Sequence, residues 1–258
     1  MTETIIKVND TMSITKLTAS SGMVLTNDSA YGKEIYLGVN DSPSNWHEIT
    51  DAEYEAIINS EPADETDFID ALSKPEFFEK GLVEIPVPAN NHIRDFAHLD
   101  LPERWTYYCV SQWDKVPNQF THLPSCRNRI MGLLAYIYDL DGFLHWGYNF
   151  WFAQLSMFEI DPYRNTCAGS GFPPGDAFKV YPGADGQPED SIRHEVFFEG
   201  VQDLAALQLL ECSIGRDGVL EFIKNLCGGK LPEMDDYPRD KAWLLNFRSE
   251  LNCKLAEA

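Results

Sequence analysis

The chain has 258 residues, enough to bury a sizeable core as one large domain or two small ones. Its 41 acidic against 20 basic residues leave a formal net charge of -21. Such a surface repels phosphate backbones and anionic lipid, which excludes nucleic acid and membrane surfaces as partners but leaves a neutral glycan open.

Short strands are expected over residues 13–18, 23–26 and 34–39, punctuated by the turn signals Ser21-Gly22, Asn27-Asp28 and Asn40-Asp41-Ser42-Pro43. A capping box, Thr50-Asp51-Ala52-Glu53, opens a short helix carrying Tyr54, Ile57 and Ile58. Residues 1–62 thus read as a small strand-rich module closed by one helix. The acidic, proline-bearing stretch 59–67 has linker composition and marks the module boundary.

From residue 63 to 185 strand and helix signals alternate: a strand over 68–72, a second over 105–110, and a helix over 127–138 with Ile130, Leu133, Leu134 and Ile137 on its apolar stripe. A third strand follows over 143–152. Alternation of this kind argues for βα units and a parallel sheet, hence an α/β fold. A Gly- and Pro-rich loop over 160–175 leads to a strand over 177–181 and a Pro182-Gly183 turn.

Residues 186–258 read as a C-terminal helical region. Ser191 is the N-cap of a helix with Ile192, Val196, Leu204, Leu207 and Leu210 at helical spacing, and Gly200 marks close packing. A helix over 219–227 is stopped by Gly228-Gly229, and a last one starts at Pro238 with Trp243, Phe247, Leu251 and Leu255 on one stripe.

The densest chemistry lies in Gly142-Phe143-Leu144-His145-Trp146-Gly147-Tyr148-Asn149-Phe150-Trp151. Apolar ring faces cover the C–H face of a pyranose while amides and imidazoles bond its hydroxyls, so the run suits a sugar pocket; a plain aromatic core is the alternative. In an extended strand Leu144, Trp146, Tyr148, Phe150 and Phe152 share one face, expected beneath helices, and Phe143, His145, Gly147, Asn149 and Trp151 the other. His145, Asn149 and Trp151 are therefore the leading substrate-binding candidates, with Trp151 as stacking platform and Tyr148 within reach at a bulge. Tyr108 and Gln112 share parity on the neighbouring strand, and Asp70 ends the run 68–70 where a carboxylate could bind a hydroxyl. Asp176 reads as a turn former.

The six cysteines, Cys109, Cys126, Cys167, Cys212, Cys227 and Cys253, are scattered without a C-x-x-C pair and read as free thiols, with no metal or cofactor expected. No apolar run approaches bilayer length and the N-terminus lacks a signal peptide's layout, so a cytoplasmic location is expected.

The order of motifs resembles glycoside hydrolase family 123 and its C-terminal region, domain of unknown function 4091. The matching pieces are Gly142-Phe143-Leu144-His145-Trp146, the run from Gly175-Asp176 to Tyr181-Pro182-Gly183, Ser191-Ile192-Arg193, and Gly200 with Asp203. The likeness extends upstream through Asp70-Ala71-Leu72-Ser73, Trp105 to Cys109 and Arg127-Asn128-Arg129, over roughly residues 66–225. It implies the closing units of a (β/α) barrel, a partial parallel sheet, since a whole barrel takes about 250 residues. It further implies a substrate-assisted N-acetyl-β-galactosaminidase acting on a glycan containing N-acetylhexosamine. The family's catalytic Asp-Glu step has no counterpart at the right distance: Asp64-Glu65 precedes the Asp70-Ala71-Leu72-Ser73 motif too closely to leave room for the intervening helix and strand, and reads as solvated linker. A non-catalytic carbohydrate-binding protein stays open, as does an assembly protein whose incomplete sheet edges pair between copies as a homo-oligomer.

Overall fold

The computed structural model describes the backbone of five strands within residues 4–47 and the whole of residues 69–257. The expected helix at Thr50, the linker 59–67 and Asp64-Glu65 lie outside the described residues. Contacts divide the chain into two compact units, Met1–Thr66 and Asp67–Ala258.

In the first unit β1 (Thr4–Asn9), β2 (Met12–Ala19), β3 (Val24–Asp28) and β4 (Lys33–Leu37) form an antiparallel sheet in chain order, and β5 (Trp46–His47) pairs with the far end of β2. The three expected strands fall on β2, β3 and β4; β1 and β5 carried no comparable turn punctuation.

The second unit is built on four short parallel strands. β6 (Ile69–Ala71) pairs with β7 (Ile85–Val87), and β8 (Trp105–Tyr107) with β9 (Gly142–Leu144). A parallel bridge between Ala89 and Tyr107, with Asn90 N–H donating to the Tyr107 carbonyl at 2.8 Å, joins β7 to β8. The strands therefore lie side by side in chain order. Each parallel step needs a crossover: α1 (Glu76–Glu79), a 3-10 turn (Ile93–Phe96), and the pair α2 (Cys126–Arg129) and α3 (Met131–Tyr138) supply them. β7 is buried along its length, as a central parallel strand must be, whereas β6 is exposed.

Ser191 caps α4 (Ile192–Leu226), its hydroxyl accepting from the His194 N–H. Gly215, at φ 72° and ψ 162°, interrupts this 35-residue element, so the helix expected over 219–227 is its second limb. Gly228 and Gly229, both at positive φ, follow its end. With α5 (Lys241–Glu257) these helices enclose one core in which Ile130, Leu133 and Leu134 meet Leu207, Leu210 and Phe247. A Cβ on Gly132 would stand 1.8 Å from the Gly200 carbonyl oxygen, so α3 and α4 cross at backbone contact. Beside the crossing, Asp203 is buried and accepts from Arg129 Nε at 2.8 Å and Arg248 Nη1 at 2.9 Å. Among the described residues no helix is long and apolar enough to cross a membrane.

The strand expected over 143–152 ends at Leu144. Beyond it the chain turns onto the segment before β10 (Val180–Pro182), which pairs antiparallel with β11 (Pro188–Asp190): Phe150 N–H donates to the Ala177 carbonyl and Lys179 N–H to that of Tyr148. Gly147 allows this approach, because a Cβ there would sit 2.6 Å from the Ala177 oxygen. The period of two therefore stops, and the face expected beneath helices does not exist as such. Trp146 is 41% and Tyr148 50% exposed, while Phe143 packs on Tyr108 and Phe197.

Candidate functional site

The C-terminal ends of the four parallel strands lie on one side of the sheet. A cleft of about 300 Å³ opens there between Asn90 and Asn91 after β7, Gln112 and Trp113 after β8, and Met234 and Asp235 ahead of α5. Its walls are polar and fixed. Asn90 is wholly buried and donates from Nδ2 to the Pro117 carbonyl at 2.9 Å, while its Oδ1 has no hydrogen-bond partner among the described residues. Gln112, 5% exposed, accepts the Cys109 N–H at Oε1 and donates from Nε2 to Asn91 Oδ1 at 3.3 Å. Trp113 stands at the rim, 66% exposed. Arg94 on the 3-10 turn pairs with Glu233 and Asp235, tying the segment ahead of α5 to the cleft.

A relay of amides runs inward. Asn118 Nδ2 donates to the Gln112 and Cys109 carbonyls, Asn118 Oδ1 accepts the Gln119 N–H, and Gln119 Nε2 donates to the Gly175 carbonyl at 3.1 Å. Next along the chain is Asp176, wholly buried, whose Oδ2 accepts from Trp146 Nε1 at 3.0 Å. Burial pushes this carboxyl up to about 6, against the pull of the indole N–H.

His145 Nε2 lies 3.8 Å from Asp176 Oδ1, too far for a hydrogen bond, and neither atom has a hydrogen-bond partner among the described residues. Burial, aided by the Lys179 charge, lowers the imidazole to about 3, so the pair is a neutral histidine beside a carboxyl group and not a salt bridge. Lys179 is itself lowered to about 8 by burial and by Arg193, and its ammonium sits 3.8 Å from the Phe197 ring centroid. Neither His145 nor Asp176 lines the cleft.

The residues singled out from the sequence are dispersed over this region. Gln112 lines the cleft. Tyr108 lies behind it, wholly buried, donating to Asn128 Oδ1 at 3.0 Å and meeting the His145 ring edge-on. Asn149 is exposed and bridges Phe178; Trp151 is half-buried and donates to the Val180 carbonyl; exposed Tyr148 touches the His194 ring. Asp70 is exposed on β6. Tyr108 and His145 meet, and the others stand apart. Sequence reasoning missed Asn90, Asn91, Trp113 and the burial of Asp176. Trp113 stood three residues beyond the expected strand 105–110, where an α/β sheet gathers its ligands, whereas Asn90 and Asn91 follow β7, a strand the sequence reading did not expect.

A model of the glycoside hydrolase 123 catalytic domain matches residues 24–210. No curated protein matches. Among solved structures, a family 123 glycoside hydrolase from Clostridium perfringens, described for glycolipid glycan hydrolysis, superposes with a TM-score of 0.51 at 15% identity, covering 91% of this chain and 48% of that one. At that identity the likeness is one of fold, and this chain spans about half the length of that relative. The family match begins inside the first unit, so the resemblance reaches further upstream than the motifs from Asp70 onward indicated, and residues 24–66 are not foreign to it. Matched over more than half its length, the chain belongs to glycoside hydrolase family 123.

Proposed function

We propose that this chain recognises a glycan bearing N-acetylhexosamine, as an N-acetyl-β-galactosaminidase-like protein in which the catalytic Asp-Glu pair is missing, and that its four parallel strands are the closing units of a (β/α) barrel. Their side-by-side order without reversal supports the barrel reading, because a doubly wound sheet would reverse direction. The observation that carries the functional reading is Trp113 beside the amides of Asn90, Asn91 and Gln112, at the end of the sheet where barrel enzymes bind substrate. The indole face covers the sugar's C–H face, and the amides bond its hydroxyl and acetamido groups. Asn90 offers its Oδ1, unpartnered among the described residues, as an acceptor, while one of its two amide N–H groups is engaged with Pro117.

Turnover requires a carboxylic acid beside the leaving oxygen. None of the four parallel strands leads into an Asp-Glu step. Calorimetric titration with an N-acetylgalactosamine-terminated oligosaccharide should show binding that weakens at least tenfold in Trp113→Ala, with no release of chromophore from an aryl N-acetyl-β-galactosaminide. Binding indifferent to Trp113 would remove the proposed cleft. Release abolished by Glu65→Gln would restore an acid pair to residues 64–65.

A further inference from the structure

A second cleft, of about 240 Å³, is separated from the first by a single 3-10 turn: Arg94 of that turn lines the first cleft, and Ile93 and Phe96 line the second. Its remaining walls are largely aliphatic, from Leu99, Leu101, Ile137 and Leu140. The polar groups around it are occupied. Trp105 Nε1 donates to Glu103 at 2.6 Å, the Tyr138 hydroxyl accepts the Met234 N–H, and Asp141 bonds the main chain of Arg104 through Oδ2.

The Arg104 side chain also lines this cleft, is exposed, and has no partner for its guanidinium among the described residues. That is unusual in so acidic a chain. Arg94, Arg129, Arg164, Arg216 and Arg248 pair with carboxylates, and Arg127, Arg193 and Arg239 donate to carbonyls. Glu103, its neighbour in sequence, is committed to the Trp105 indole, and Asp141 to the Arg104 main chain.

We infer that this second cleft binds a short aliphatic monocarboxylate, its chain against Ile93, Phe96 and Leu140 and its carboxylate on Arg104. A guanidinium presents two parallel N–H donors that match a carboxylate. The volume equals that of about eight water molecules and falls below the roughly 300–1,000 Å³ of drug-sized pockets, which suits a chain of hexanoate or octanoate length. The net charge of -21 opposes an approaching anion, so the ligand is held by contact with Arg104 and not by long-range steering.

The test is calorimetric titration of the full chain with sodium butanoate, hexanoate and octanoate. Affinity should rise about fourfold per added methylene until the cleft is filled. Octanoate should bind about tenfold more weakly to Arg104→Gln, and octanol should bind the wild type more weakly than octanoate but the variant equally well. Ala97→Trp, which places an indole at the cleft wall, should abolish binding, with circular dichroism confirming that both variants are folded. Trp113→Ala should leave it intact, which separates this site from the glycan reading. No binding at millimolar octanoate, or affinity indifferent to Arg104 or to chain length, overturns the proposal.

Discussion

Asp176 shows how far a residue's surroundings can move it from its sequence reading. Glycine before and alanine after suggest a turn, yet the carboxyl is enclosed and, among the described residues, meets a single N–H donor, that of Trp146. Its folded pKa of about 6 lies above the ordinary 3.8, so the folded state holds its proton more tightly than the unfolded state does. The stability associated with the protonated form is fully present below about pH 4 and is lost as pH rises through 6. His145 works in the opposite sense. Its pKa of about 3 lies below the ordinary 6.5, so its contribution is present above pH 6.5 and is lost as pH falls toward 3. Asp176→Asn keeps an acceptor for Trp146 and removes the charge; urea unfolding at pH 8 should find the variant more stable by about 2 kcal/mol. The advantage should vanish by pH 4. An equal difference at both pH values would show that the carboxyl is not desolvated.

At the scale of elements, local chemistry is a good guide wherever it acts alone. Ser191 was readable as an N-cap because its hydroxyl needs only the N–H three residues on, and the helix starts there. Ser191→Ala should lower stability by about 1 kcal/mol in urea unfolding. Gly200 was readable as a packing site, but its counterpart Gly132 was not, since only the crossing of α3 on α4 brings them together. Gly132→Ala places a methyl group against a main-chain carbonyl that cannot swing aside, and thermal and urea unfolding should register a loss of about 1–3 kcal/mol or more. A neutral substitution would mean that the helices cross further apart. The aromatic run is the converse case. Its alternation suggested ten extended residues over 143–152, and the strand ends at the second of them, Leu144, because Gly147 lets the chain leave the sheet and pair with the segment before β10.

For the whole molecule, charge and connectivity matter more than any single contact. With 41 acids against 20 bases the folded chain repels itself, and added salt screens that repulsion. Raising sodium chloride from about 10 mM to 150 mM shortens the screening length from roughly 30 to 8 Å and should raise the melting temperature, measured by circular dichroism. A falling midpoint would assign more weight to the surface ion pairs, such as Arg94 with Glu233 and Asp235, than to net repulsion. The ordered motifs from Asp70 to Asp203 already placed the chain near family 123. The structure gives several of them physical work: Asp203 holds Arg129 and Arg248, Arg193 donates to the Phe178 carbonyl, and Asn128 links Tyr108 to the start of α4.

The sequence by itself determined the parallel βα alternation, the Ser191 cap and apolar stripe of α4, and the family, because each rests on neighbours a few residues apart or on the order of motifs along the chain. Only the tertiary structure decided that Asn90, Gln112 and Trp113 converge on one cleft, that His145 and Asp176 lie buried beside each other, and that Arg104 faces an apolar cavity with no partner for its guanidinium among the described residues. Those relations join residues tens of positions apart. They are set by which surfaces the strands and helices bury against one another, and no local period encodes that.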